Sequence, residues 1–145
     1  MRITKVTTKT GDGGKTSLGN GQRVHKNHPI INTLGELDYL NSIIGWAEVE
    51  SANESCSIEL KNIQQDIFNI SGDLSLPNSD VSLLKEERII HLEKMIKSMN
   101  EKLPPLEEFI LPGGSELNAR LHIARTTCRN SERSLAVSYT HLTLP

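Results

Sequence analysis

A glycine-rich segment near the N-terminus, Thr7–Ser17, contains the residue types that bind anions. Gly11, Gly13 and Gly14 allow a tight turn, because glycine adopts positive φ without steric cost. Such a turn can direct several backbone N–H groups at one point, and concave groups of amides of this kind bind phosphate. Lysines and hydroxyl residues in the segment add charge and hydrogen-bonding groups. The segment therefore predicts a phosphate-binding loop, although an ordinary Asp-Gly surface turn also fits.

The spacing of this segment differs from that of a P-loop. A P-loop has a glycine five residues before its Gly-Lys-Thr, and Lys9 occupies that position here. The preceding residues are too polar for the buried parallel strand that leads into a P-loop, and 17–28 is too polar and glycine-broken for the helix that follows it. The segment could hold a nucleotide, but not in the manner of a P-loop.

A second group of candidate phosphate ligands lies near the C-terminus. Arg125, Arg129 and Arg133 recur at four-residue steps, which places them on one face of a helix. The forked guanidinium group binds phosphate or carboxylate well, whereas a solvated charged face is the simpler interpretation. A triphosphate between these arginines and the glycine-rich segment would be well matched in charge.

Further along the chain, the apolar run Phe109–Leu111 leads into Pro112-Gly113-Gly114. These apolar residues either seal the end of the fold or form an apolar wall against a flat ligand. Residue types alone favour the first interpretation.

The elements that must position these residues are predicted to be helices. Apolar residues recur at three- and four-residue steps, which is typical of amphipathic helices, and the only β-rich stretch is the first turn, Ile3–Leu18, outside them. Glycines inside the first helix, Gly35 and Gly45, predict the close approach of a ligand or another backbone. The pattern predicts an all-α, antiparallel helical bundle. The predicted helices run from Pro29 to about Ile44, from about Ser57 to Leu74, from a cap at Ser82 to before Pro104, and from after Ser115 through Cys128.

The bulk composition limits the function. The 145 residues suit one domain, and the net charge of −2 argues against nucleic-acid or membrane partners. Aromatic residues make up 3% of the chain, too few for a base-stacking platform. Cys56 and Cys128 lack metal-ligand spacing, which indicates reduced thiols and a cytoplasmic location.

Taken together, the motifs resemble those of the PduO-type ATP:cob(I)alamin adenosyltransferases. The resemblance covers about residues 3–136, and the motifs follow the family's order and spacing. The matching segments are TTKTGDGGKTSL at 7–18, QRVHK at 22–26, GELDYLNSIIG at 35–45, FILPGG at 109–114 and LHIARTTCRNSER at 121–133.

The resemblance implies a five-helix bundle of the ferritin-like type, assembled as a homotrimer with active sites between subunits. The implied reaction transfers the 5′-deoxyadenosyl group of ATP, with Mg²⁺, to the cobalt of cob(I)alamin, leaving triphosphate. A cobalamin reductase and an adenosylcobalamin-dependent enzyme are the implied partners. A non-catalytic ATP- and corrinoid-binding sensor, an inactive fragment and a purely structural bundle are the alternatives.

The resemblance also assigns roles by motif position. Glu132 would place Mg²⁺ through its bound water, without ligating the metal directly. Asp38 would pair with Arg129 across the subunit interface beside the corrinoid, and Phe109 would press on the lower face of the corrin and keep cobalt four-coordinate. Arg133 would bind phosphate. The residues implied to wrap the ATP are Thr8, Lys9, Thr10, Gly11, Asp12, Gly14 and Thr16, with Lys26 on its phosphates.

The chain departs from the family pattern in the first helix, in the last motif and after Ala136. Asn130 and Ser131 stand where the family usually has Arg-Ala, and Tyr39 stands where it usually has Glu. After Ala136 the residues lose the helical period, so 1–136 is interpreted as the family domain and 137–145 as foreign or out-of-frame sequence. The expectation is a bundle that lacks its last helix.

Overall fold

The computed structural model describes residues 7–77, 79–80 and 82–143, with side chains up to 138. A two-stranded antiparallel hairpin precedes four helices. Among the described helices, none is long and apolar enough to cross a membrane. The elements are β1 (Lys15–Ser17), β2 (Arg23–His25), α1 (Pro29–Glu48), α2 (Glu54–Ser75), α3 (Glu86–Asn100) and α4 (Glu116–Thr143).

The four helices run antiparallel in chain order, as the sequence predicts. Helix α1 lies between α2 and α4 and packs on both. On one side of α1, the Gln64 side-chain amide donates to the Asn41 carbonyl oxygen at 3.0 Å, and a Cβ added at Gly45 would lie 2.9 Å from that amide nitrogen. The predicted close approach at Gly45 is therefore made by a side chain of α2. At Gly35 the structure has open space.

The apolar core lies along α1, and the hairpin closes one end of it. A second apolar cluster joins Leu18 and Val24 of the hairpin region to Ile30 in the first turn of α1. This packing fixes the glycine-rich segment at the end of the bundle where α1 begins. The part of the predicted β-rich turn from Ile3 to Val6 lies outside the described residues. The buried core members are Leu37, Leu40, Ile44, Ile67 and Ala124.

Local capping explains where the helices begin. Helix α1 begins at Pro29 as predicted, and Nδ1 of His28 accepts from the Ile30 N–H at 3.2 Å. The predicted cap at Ser82 is wrong, because its hydroxyl donates to the Leu84 carbonyl oxygen and α3 begins only at Glu86. Helix α2 begins earlier than predicted, since Asn53 caps it.

The end of α4 also differs from the prediction. The helical period was expected to end near Ala136, but α4 continues through Thr143. Ser138 is 0% exposed and forms a hydrogen bond with the Thr33 hydroxyl at 2.5 Å. Thr33 in turn donates to the Ser134 carbonyl oxygen at 2.9 Å. Tertiary packing against α1 thus offsets the weak helical preference of these residues.

Helix α3 is held to α2 by a charged cluster. Arg88 donates from Nε and Nη2 to both carboxylate oxygens of Asp66, at 2.7–3.0 Å, and from Nη2 to Glu59 at 2.8 Å. His91 reaches the second Glu59 oxygen at 3.0 Å. The Glu59 side chain is only 12% exposed, so these contacts are partly shielded from water.

We expect Arg88→Met to lower the free energy of unfolding by about 2 kcal/mol, because it leaves two shielded carboxylates without their cation. Burial raises the pKa of Glu59, but hydrogen bonds from Arg88, His91 and Asn62 outweigh it and hold the pKa below its ordinary 4.5. The stabilisation is therefore present above pH 4.5 and is lost as the pH falls through the lowered value.

Urea unfolding at pH 7 and in steps below pH 4.5 measures both effects of Arg88→Met. Lys94→Met is the matched control, because Lys94 is exposed on the same helix. Equal stability of Arg88→Met and Lys94→Met at pH 7 would contradict the structural role of the cluster.

Candidate functional site

The glycine-rich segment forms a compact turn in front of β1. The N–H of Asp12 donates to the Lys9 carbonyl oxygen at 3.4 Å, and the N–H of Gly14 donates to that of Gly11 at 3.1 Å. Gly14 has φ +76°, as its residue type anticipates. Lys9 has φ 57°, a left-handed conformation that costs a non-glycine residue about 1 kcal/mol. Strain of this kind is concentrated at functional sites.

The turn leaves backbone donors free. Within the described part of the chain, the N–H groups of Gly11 and Gly13 have no acceptor, whereas those of Asp12 and Gly14 are used within the turn. The hydroxyls of Thr8 and Thr10 lie 3.0 Å apart on the same segment. Free amides beside hydroxyls are the groups expected to bind phosphate oxygens.

Lys26 lies against this turn. Its backbone N–H donates to the Gly14 carbonyl oxygen at 2.9 Å, which fixes it at the end of the hairpin. A Cβ added at Gly11 would lie 3.2 Å from Lys26 Cε and 3.3 Å from Nζ. Glycine at position 11 therefore leaves room for the ammonium group. Gly11 and Gly14 of the predicted loop therefore contact Lys26, and Thr16 in β1 pairs with Val24.

The predicted residues of α4 lie on its exposed surface. Arg129 and Glu132 form an ion pair on the helix, with 67% and 58% of their side chains exposed. The Arg133 guanidinium donates to the Asn130 side-chain oxygen. In the described residues, Arg133 has no bond to the glycine-rich loop.

Arg133 nevertheless lies at the same end of the bundle as the loop. It lines an open cavity of about 260 Å³ together with Pro29, Asn32 and Thr33 at the start of α1. The hairpin leads directly into Pro29, so the loop and Arg133 border the beginning of one helix. Val137, from the segment after Ala136, also lines this cavity.

Asp38 and Arg129 lie at the same level of α1 and α4. The Ser131 hydroxyl donates to the Glu36 carbonyl oxygen at 3.0 Å, and the two helices run antiparallel from that point. The Asp38 carboxylate is exposed and has no ion-pair partner among the residues described. The departure at Ser131 is accommodated, because the residue is 2% exposed and its hydroxyl is hydrogen-bonded across this interface.

Phe109 is 100% exposed in the loop before α4, and Leu111 is 91% exposed. The interpretation that this run seals the end of the bundle is therefore wrong for the described chain. The loop is joined to α4 after Phe109, where the Asn118 side-chain amide donates to the Gly113 carbonyl oxygen. An exposed aromatic ring within a loop is available to an apolar ligand or a second subunit.

The described residues contain no group of three or more His, Cys, Asp or Glu side chains that could enclose a metal ion. Mg²⁺ is commonly held by one or two carboxylates together with substrate phosphates. Glu132 is an exposed carboxylate of the predicted site, as are Asp12 and Asp38, and one carboxylate of this kind fits an ion that arrives with a nucleotide.

Sequence reasoning did not assign a role to Arg23. In the structure, its guanidinium donates to two carbonyl oxygens and a hydroxyl of the glycine-rich segment. The sequence signal was its place in the QRVHK segment, three residues before Lys26.

A family model described as cobalamin adenosyltransferase matches residues 6–142. A cobalamin adenosyltransferase of Cupriavidus metallidurans is 44% identical over 135 residues, covering 92% of this chain and 72% of the relative. The corrinoid adenosyltransferase PduO of Citrobacter freundii is 38% identical over 143 residues, covering 96% of this chain. The chain spans 43% of the Citrobacter protein.

The fold is also similar to that of a solved structure from this family. A variant of the PduO-type ATP:corrinoid adenosyltransferase from Lactobacillus reuteri, complexed with cobalamin and ATP, superposes with a TM-score of 0.90 at 33% identity. The superposition covers 97% of this chain and 81% of that one.

Proposed function

Because the chain belongs to the cobalamin adenosyltransferase family, we propose that it transfers the 5′-deoxyadenosyl group of ATP to the cobalt of cob(I)alamin. The observation that carries the proposal is the glycine-rich turn, where the amides of Gly11 and Gly13 have no acceptor among the described residues and the Lys26 ammonium group lies against Gly11. This arrangement suits the triphosphate of ATP. The Lactobacillus reuteri relative was solved with cobalamin and ATP, which supports the same pair of substrates.

The reaction needs no protein nucleophile. The electron pair on cobalt attacks C5′ of ATP, a Co–C bond forms, and the C5′–O bond breaks with its electrons leaving on triphosphate. The protein therefore acts by holding the two substrates in line and by stabilising negative charge on the leaving group. The loop amides, Lys26 and Arg133 perform the second task.

Mg²⁺ would enter with ATP and be placed through its bound water by Glu132. A single exposed carboxylate is sufficient, because the phosphate oxygens supply the other charged ligands. Opening of the Arg129–Glu132 ion pair would free both exposed side chains, Glu132 for the hydrated metal and Arg129 for Asp38 of a neighbouring subunit.

The corrinoid would lie against Phe109. Full exposure of this ring in the single chain supports the proposal, because the ring is available to cover the lower face of a corrin. Keeping the lower ligand off cobalt leaves the metal four-coordinate and more reactive towards C5′.

A homotrimer with sites between subunits belongs to this proposal, as do a cytoplasmic location and supply of reduced cobalamin by a reductase. The product would serve an adenosylcobalamin-dependent enzyme. Exposure of Asp38, Arg129 and Phe109 in one chain supports a site completed by a second chain.

Turnover by the purified chain tests the function. With ATP, Mg²⁺ and chemically reduced cobalamin under anaerobic conditions, we expect adenosylcobalamin by its absorption spectrum and an equal amount of triphosphate by ion chromatography. Binding of both substrates without product would favour a sensor, and binding of neither in calorimetry would indicate a structural bundle. Either result contradicts the proposed transferase.

Charge reversal tests the Asp38–Arg129 pair. Asp38→Arg and Arg129→Asp are each expected to raise the KM for cobalamin about 10-fold, because like charges then meet across the interface. The double variant restores the pair and should recover most of the affinity. Two single effects that simply add in the double variant would contradict the pairing.

A further inference from the structure

The side chain of Arg23 braces the glycine-rich loop from the neighbouring strand. Arg23 on β2 pairs in register with Ser17 on β1. Its Nη1 donates to the Ser17 hydroxyl at 3.3 Å. Its Nη2 donates to the carbonyl oxygens of Thr10 at 2.9 Å and Lys15 at 3.3 Å. One planar group therefore touches three residues of the segment.

These contacts join the two sides of the turn. Thr10 precedes the glycines and Lys15 follows them, so a shared donor fixes the separation of the two ends. On the other side of the hairpin, the Lys26 N–H holds the Gly14 carbonyl oxygen at 2.9 Å. The turn is thus restrained at both of its edges, by Arg23 of β2 and by Lys26, which follows β2 directly.

The bond to Thr10 also sets the direction of a free amide. In a trans peptide the C=O and N–H groups point in opposite directions. When the Thr10 carbonyl points at Arg23, the N–H of Gly11 points away from it. This N–H has no acceptor in the described residues, and a Cβ at Gly11 would lie 3.3 Å from Lys26 Nζ.

We infer that Arg23 is a positioning residue of the ATP site: it holds the Thr10 and Lys15 carbonyls so that the Gly11 amide stays directed at the phosphates. This inference rests on the proposed function. Arg23 acts through the loop, whereas Lys26 and the free amides touch the nucleotide. A lysine could replace the charge of Arg23 but not its planar fork of donors.

Kinetics of Arg23→Met and Arg23→Lys test the inference, with Lys94→Met as the control for loss of one exposed positive charge. Arg23→Met should raise the KM for ATP about 10-fold and leave the KM for cobalamin unchanged, because only the loop is released. Arg23→Lys should recover part of the ATP affinity. Lys94→Met should match the unaltered chain.

Amide hydrogen exchange of residues 8–17 is a second readout that does not need turnover. Arg23→Met should speed exchange in this segment, with the helices unchanged. An unchanged KM for ATP, unchanged exchange, or full rescue by Arg23→Lys would each overturn the inference. Absence of product from the unaltered chain would overturn the proposed function instead, while the exchange comparison still decides whether Arg23 holds the loop.

Discussion

Replacing Arg133 by alanine should lower kcat/KM for ATP about 100-fold, while the stability of the chain stays the same. The loss of activity follows from the removal of a guanidinium that stabilises charge on the departing triphosphate. Stability is spared because the side chain makes only a local bond to the exposed Asn130, on its own helix. An arginine on a solvated face would leave both quantities unchanged.

Steady-state kinetics at varied ATP concentration measure the predicted fall in kcat/KM. Thermal unfolding measures the predicted absence of a change in stability. Lys94→Ala removes one exposed positive charge from α3 and serves as the matched control. Full activity of Arg133→Ala would show that Arg133 of α4 does not contribute to the ATP site. A large fall in the melting temperature would instead assign Arg133 to the fold.

Phe109→Ala is the second variant with a large expected effect. It should lower kcat at least about 10-fold, because cobalt is no longer held in its four-coordinate state in line with C5′. The free energy of unfolding should not fall, since the ring is 100% exposed and removing it creates no cavity. Loss of activity without loss of stability separates a substrate contact from a packing role.

The other phenylalanine provides the control. Phe68 on α2 is 68% exposed and lies outside every motif that the resemblance assigns, so Phe68→Ala should retain activity. The absorption spectrum of bound cob(II)alamin gives an independent readout, because it distinguishes four-coordinate from five-coordinate cobalt. A four-coordinate spectrum in Phe109→Ala would contradict the role of the ring.

The sequence predicts the helices well where apolar spacing is regular and fails where tertiary contacts decide. Pro29 fixes the start of α1, because its ring suits a first helical turn. Ser82 does not cap α3, because the helix begins only at Glu86, four residues after Ser82. The continuation of α4 beyond Ala136 depends on Ser138 and Thr33, which are far apart in sequence.

In the candidate site, too, local contacts could be predicted from the sequence and tertiary contacts could not. Gly11 and Lys26 belong to one hairpin, so their proximity could be predicted from one segment. The brace by Arg23 could not, because residue type does not say which carbonyls a guanidinium reaches. The spacing of apolar residues along the sequence also does not show whether Phe109 is exposed or packed against the end of the bundle.

The proposed homotrimer has its active sites between subunits, so we propose that the glycine-rich loop of one chain is completed by Arg133 of its neighbour. Mixing chains that carry Lys26→Ala with chains that carry Arg133→Ala tests it directly. Each variant alone should make almost no adenosylcobalamin. Randomly mixed trimers should recover about one quarter of the wild-type rate, because about one interface in four pairs an intact loop with an intact Arg133. Mixed trimers that form but make no adenosylcobalamin would contradict a site shared between subunits.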